Sequence, residues 1–108
     1  MRVVTTEQFQ EDYISNHPSF TGILIDYRKR KLWYRNGNIH REGGPAVIYL
    51  NGTKEWYQNG LRHREDGPAR ELPDGRKRWW INGEPITEEE HGNWVRKKKL
   101  EAFLDGDN

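Results

Sequence analysis

Short stretches of alternating apolar and polar residues, each stopped by a turn pair, fill the middle of the chain. From Trp33 it reads Trp33-Tyr34-Arg35-Asn36-Gly37-Asn38-Ile39-His40-Arg41-Glu42-Gly43-Gly44-Pro45-Ala46, followed by Asn51-Gly52. From Trp56 it reads Trp56-Tyr57-Gln58-Asn59-Gly60-Leu61-Arg62-His63-Arg64-Glu65-Asp66-Gly67-Pro68-Ala69, followed by Asp74-Gly75. A third copy opens with Trp79-Trp80-Ile81-Asn82-Gly83 and departs at Glu84-Pro85-Ile86. Trp33, Trp56 and Trp79 are 23 residues apart each time. Alternation with period two predicts strands. Asn-Gly and Asp-Gly favour two-residue type I′ hairpins, because both central residues need positive φ. The five pairs, at 36–37, 51–52, 59–60, 74–75 and 82–83, predict an antiparallel β-meander over residues 21–86. The Gly-Pro connections, 41–45 and 64–68, cannot continue a ladder.

Two-residue turns would also fix the register. Counting outward sets Trp33 opposite His40, Trp56 opposite His63, Val47 opposite Trp56, and Arg70 opposite Trp79. One face then carries Trp33, His40, Val47, Tyr49, Trp56, Leu61, His63, Leu72, Trp79, Ile81 and Ile86, the expected core. The other carries Tyr34, Ile39, Ile48, Glu55, Tyr57, Arg62, Glu71, Arg78 and Trp80, an expected mixed surface. Equivalent residues lie two strands apart, so the three tryptophans should form a ladder.

The flanks read as caps for an otherwise open-ended repeat sheet. Residues 1–18 predict a short helix, capped by Thr5 with Gln8 three positions on and carrying Phe9, Tyr13 and Ile14 at helical spacing. Asn16-His17-Pro18 ends it. Residues 21–27 predict a strand entering the sheet. Thr87-Glu88-Glu89-Glu90 is a second capping box, with carboxylates where the helix dipole favours them. That helix is expected over 87–104, with Trp94, Val95, Ala102 and Phe103 on its buried side and 105–108 as a frayed tail. The whole chain, 1–108, is expected to be one α+β domain, mainly β.

Composition narrows the chemistry. Leu, Ile, Val and Phe number only 21 of 108 residues, but 18 basic against 17 acidic side chains leave a net charge of +1, unlike a disordered chain. Thirteen aromatics, five of them Trp, supply the missing burial. A core built thinly on rings has little room for a catalytic cavity. The absence of cysteine excludes thiolate catalysis and thiolate zinc sites, and fits a cytoplasmic setting. No apolar run reaches the roughly 20 residues of a membrane span.

The quoted repeats resemble the MORN family, in particular a phage- and bacteria-rich variant with the signature W-Y-x-N-G-x-x-H-R-E-D-G-P-A. The resemblance covers residues 32–86, about half of the chain. Copy one departs at Gly43, where the signature has Asp, and copy three lacks the His-Arg-Glu-Asp run. The resemblance implies a scaffolding or interaction module without an active site. It also implies a small phage or bacterial accessory protein, one that binds and inhibits a host factor.

His40-Arg41-Glu42 and His63-Arg64-Glu65-Asp66 hold residue types used in acid–base and metal chemistry. Their recurrence at one repeat position instead points to His packed beside Trp, with Arg and Glu bonding the Gly-Pro loop. Trp33, His40, Trp56, His63 and Trp79 are therefore read as structural, and no catalytic residue, metal site or cofactor is expected. Tyr34, Tyr57 and Trp80 recur at 23 residues on the mixed face. With Arg62 and Arg78 they form the expected contact surface for a protein partner. The alternative occupant of that face is nucleic acid, with bases stacked on Trp80 and Tyr57 and phosphates on Arg76, Lys77 and Arg78. Membrane-surface attachment is disfavoured by the near-neutral charge. Arg96-Lys97-Lys98-Lys99 spreads around a helix axis as a solvated face. Pairing of open sheet edges offers a route to a homodimer.

Overall fold

In the computed structural model, which describes residues 1–106, the five turn pairs are of two kinds. Asn36, Asn59 and Asn82 each sit at φ 50°, and the glycines after them at 82°, 85° and 83°. These are the expected type I′ turns. At Asn51-Gly52 and Asp74-Gly75 only the glycine is left-handed, at φ 94° and 92°. There Tyr49 N–H donates to Thr53 O, and Leu72 N–H to Arg76 O, both at 2.9 Å. The loops are thus three residues long, 50–52 and 73–75, with a left-handed glycine closing each.

The extra residue overturns the expected register. Val47 stands opposite Glu55 rather than Trp56, and Arg70 opposite Arg78 rather than Trp79. A slip of one residue moves a strand's whole apolar set to the other face. The buried cluster is Tyr13, Phe20, Leu24, Leu32, Tyr34 and Val47. It lies on the face that carries Tyr34 and Glu55. Trp33, Trp56 and Trp79, expected in the core, lie half-buried on the opposite face, and Leu61 is exposed.

In chain order the elements are β1 (Val3–Thr5), α1 (Gln10–Asn16), β2 (Gly22–Ile25), β3 (Lys31–Arg35), β4 (Asn38–Ile39), β5 (Val47–Ile48), β6 (Lys54–Glu55), β7 (Tyr57–Gln58), β8 (Leu61–Arg62), β9 (Arg70–Glu71), β10 (Lys77–Ile81), β11 (Glu84–Ile86) and α2 (Glu88–Gly106). The protein is mainly β with a C-terminal helix. Its main sheet runs β1-β2-β3-β5-β6-β9-β10-β11, with β4 branching from β3, while β7 and β8 form their own ladder. Every pairing is antiparallel except β1 with β2, so the sheet is mixed rather than a pure meander. The Asn-Gly hairpins of copies one and three thus stay on the main sheet, and that of copy two stands beside it.

The N-terminal helix is shorter than expected. Thr5 is taken up in β1, paired with Ile25, because Val3-Val4-Thr5 is a β-branched run that suits a strand. α1 starts after Phe9 without a side-chain cap. The second capping box forms as read: Thr87 N–H donates to Glu90 Oε1 at 2.9 Å, and Glu90 N–H to Thr87 Oγ1 at 3.1 Å. These bonds hold the Glu90 carboxyl below its ordinary range. Trp94 and Val95 are half-buried, but Ala102 and Phe103 are exposed, because the last turns of α2 run beyond the sheet. The expected frayed tail is helical to Gly106, and 107–108 lie outside the described residues. Among the described residues no helix is long and apolar enough to cross a membrane.

Candidate partner-binding face

The histidines of the repeat are stitches between copies. Nδ1 of His40 accepts the backbone N–H of Asn59, and Nδ1 of His63 that of Asn82, each at 3.0 Å. An Nδ1 that accepts leaves the proton on Nε2, which donates to Glu42 at 2.8 Å and Glu65 at 3.0 Å. Beside each stitch the following glycine, Gly60 or Gly83, donates to the carbonyl of Ile39 or Arg62 at 2.8 Å. The first hairpin is held alike, with Asn36 N–H on Thr21 Oγ1 and Gly37 N–H on Phe20 O, both at 2.9 Å. Copy three has Ile86 where the others have His, and α2 follows it in place of a further hairpin. Sequence reading missed Thr21 because it lies outside the repeat.

The arginines fill the loops. Arg41 Cζ lies 4.1 Å from the Trp33 ring centroid and Arg64 Cζ 3.9 Å from that of Trp56. Each also donates through Nη1, at 3.0 Å, to the proline carbonyl of its Gly-Pro loop. A Cβ on Gly44 or Gly67 would come within 3.1 or 2.9 Å of the guanidinium carbon, which is why glycine precedes the proline. Trp33 and Trp56 are thus platforms for arginine, with stacking surface already occupied. The glutamates bond the histidines rather than the loop. Asp66, absent from copy one, accepts from Arg64 Nε at 2.8 Å, and that bond lowers its pKa.

The expected partner surface divides along the sheet. Tyr34, expected exposed, is only 4% accessible: Phe20 packs against its ring and the Gln10 amide of α1 donates to its hydroxyl. Burial pushes its pKa up to about 12. The other four candidates lie at the C-terminal end of the same face, where Tyr57, Arg62 and Trp80 are half-buried and Arg78 is exposed. The Arg62 guanidinium carbon is 5.0 Å from the Trp80 centroid and 5.7 Å from that of Tyr57. α2 leaves this end open, because its contacts fall on the opposite face: His91 Nε2 donates to Arg64 O at 2.7 Å, and Trp94 meets His63 edge-on.

Beneath these residues lies Glu55, 1% exposed, which sequence reading put on the surface. It accepts from Arg62 Nη2 and the Tyr49 hydroxyl, both at 3.0 Å, and sits 3.5 Å from Arg70 Nε. Burial first, and the Glu55 charge second, raise the pKa values of Tyr49 and Tyr57. The Nε atoms of Arg62 and Arg70 are enclosed without a hydrogen-bond partner. Glu55 stands 23 residues after Leu32, and Arg70 23 after Val47, so aligning the copies would have revealed a charged pair in a core position. Asp26 was likewise unforeseen: fully buried, it accepts the N–H groups of Arg28 and Arg30 and the Arg30 guanidinium, closing the β2–β3 turn.

Arg70, Leu72, Arg76, Lys77 and Arg78 line a shallow basic groove next to this face. The Arg96–Lys99 run is exposed on α2, with Lys98 Nζ 5.5 Å from the Trp94 centroid. Among the described residues no three His, Asp or Glu side chains converge as metal ligands. No family model, curated protein or solved structure matches the chain.

Proposed function

We propose that the chain is a non-enzymatic, MORN-like repeat module that binds a protein partner through Tyr57, Arg62, Arg78 and Trp80. The observation that carries this reading is the placement of Arg62. Its guanidinium is fixed by Glu55 against two aromatic rings, yet remains partly open to solvent at the end of the sheet that neither helix covers. Arginine and aromatic side chains held in place with part of their surface exposed are the usual anchors of protein interfaces. The histidines and loop arginines have structural partners in each full copy, so they support no catalytic role. A small accessory protein that occupies a host factor fits a module of this kind.

The test is capture by tagged full-length protein with nuclease present, comparing the wild type with Trp80→Ala and, as a control on the distant N-terminal edge, Val3→Ala. A stoichiometric protein retained by wild type and Val3→Ala but lost by a folded Trp80→Ala supports the reading. Capture that Trp80→Ala leaves intact, or that disappears with nuclease, overturns it. The second outcome would favour nucleic acid in the basic groove, with the steep salt dependence of phosphate contacts.

A further inference from the structure

β11 pairs with Trp79–Ile81 of β10, but the Lys77–Arg78 stretch of that outer edge lacks the strand that both earlier copies possess. In copy one Lys31 and Leu32 pair with Ile48 and Val47; in copy two Lys54 and Glu55 pair with Glu71 and Arg70. Their equivalents, Lys77 and Arg78, pair with β9 on one side, and among the described residues no strand pairs with them on the other. By the 23-residue count that strand would be Asn93 and Trp94, which belong to α2. Exposure follows the loss. Leu32 and Glu55 are each 1% accessible, whereas Arg78, at the same position, is exposed.

The side chains state what is missing. Across the sheet one row reads Leu24, Leu32, Val47, Glu55, Arg70, Arg78, and the neighbouring row Ile25, Lys31, Ile48, Lys54, Glu71, Lys77. The first row ends with two arginines directly opposite each other, an unfavourable pairing. The second alternates Lys, Glu, Lys. Both rows stop on a cation at an open edge. A next strand with a carboxylate at each of these two positions would continue both patterns.

We infer that the β10 edge takes up an extended acidic segment of the partner protein, antiparallel to β10, with carboxylates opposite Lys77 and Arg78. The inference rests on the protein-binding reading and specifies the partner's chemistry. Backbone bonds of an added strand supply affinity and alternate side chains specificity. Trp79 already pairs with Ile86 of β11, so the open stretch of the edge is Lys77 and Arg78. The recognised segment therefore carries two successive acidic residues. A second copy fits less well, because its own strands β5 and β9 offer one carboxylate, Glu71, across the two positions. Nucleic acid has no backbone that continues a peptide ladder.

The probe is a synthetic peptide of the chain's own segment Gly67–Leu72 carrying Arg70→Glu, titrated into isotope-labelled full-length protein and followed by amide chemical shifts. The expected result is saturable movement of the Arg76–Trp79 amides. Binding should be about tenfold weaker for a peptide with lysine at both acidic positions, and the preference should invert in Lys77→Glu/Arg78→Glu protein. Both residues are exposed, so that variant should fold. No movement at millimolar peptide, movement centred elsewhere, or indifference to the charge reversal would overturn the inference. Concentration-dependent broadening of the same amides without peptide would assign the edge to a second copy and overturn it too. If Trp80→Ala still abolishes partner capture while the peptide fails, only the acidic-strand inference falls.

Discussion

The backbone N–H of Asn59 ends on Nδ1 of His40, 3.0 Å away, so an imidazole in one copy completes the turn of the next. His40 is 6% exposed, and its loss would leave that N–H without its acceptor at a half-buried contact between the copies. A buried donor left unpaired costs about 1–3 kcal/mol. His40→Phe, which keeps the ring volume and removes both bonds, should lower unfolding free energy by about that amount in urea titrations. His63→Phe should cost less, since His63 is less deeply buried than His40. Equal effects would mean that the cost comes from the ring and not from the stitch.

Gly67 is constrained by Arg64 and not by its own backbone. A methyl group there would lie 2.9 Å from Arg64 Cζ and push the guanidinium off Trp56. Gly67→Ala should therefore destabilise by about 1 kcal/mol, the scale of an exposed cation–π contact. The cost should shrink in an Arg64→Ala background, because the two changes remove the same contact. Gly43 is the contrasting position: a Cβ there meets nothing within 4 Å, and only its φ of 75° resists substitution. A double-mutant cycle on unfolding free energies distinguishes steric crowding from backbone strain.

These two contacts show where the sequence was readable. Three turns, Thr87 with Glu90, and the recurrence of His-Arg-Glu at one structural position follow from local chemistry, and local chemistry survives folding. The faces of the sheet do not. Asn51-Gly52 and Asn59-Gly60 are the same dipeptide, yet the first closes a three-residue loop and the second a two-residue one. That single residue decides whether Trp56 or Glu55 lies beside Val47, and hence which face is the core. No pattern within either dipeptide distinguishes the loops. The substitution of Leu32 and Val47 by Glu55 and Arg70 in copy two was in the sequence, but its meaning depends on that register.

Alkali should unfold the protein earlier than its tyrosine content alone implies. Burial raises the Tyr34 pKa from 10.0 to about 12, and raises those of Tyr49 and Tyr57 in the same direction. A phenol whose folded pKa exceeds its unfolded one stabilises the fold fully below pH 10, and that contribution is lost as pH rises through about 12. Urea midpoints should fall steeply over this window. Tyr34→Phe should flatten the fall while changing the midpoint at pH 7 only slightly. An unchanged alkaline slope in that variant would assign the loss to other groups.

Glu55 and Arg70 replace an apolar pair, and their removal should depend on whether one or both go. Glu55→Gln leaves Arg62 and Arg70 without the carboxylate that they share and should destabilise by about 1–3 kcal/mol, below the cost of a fully buried pair because both arginines are partly exposed. Glu55→Leu with Arg70→Val rebuilds the Leu32–Val47 pair of copy one in the same register. Swapping a buried ion pair for well-packed apolar residues is often neutral or favourable, so this double variant should regain much of what Glu55→Gln loses, with Arg62, already partly exposed, left to turn to water. It should nevertheless lose partner capture, because Arg62 would no longer be fixed against Trp80. Relative to Glu55→Gln, stability from urea titration would then rise while capture from pull-down stays lost. A stable double variant that still captures its partner would show that Glu55 positions nothing the partner touches.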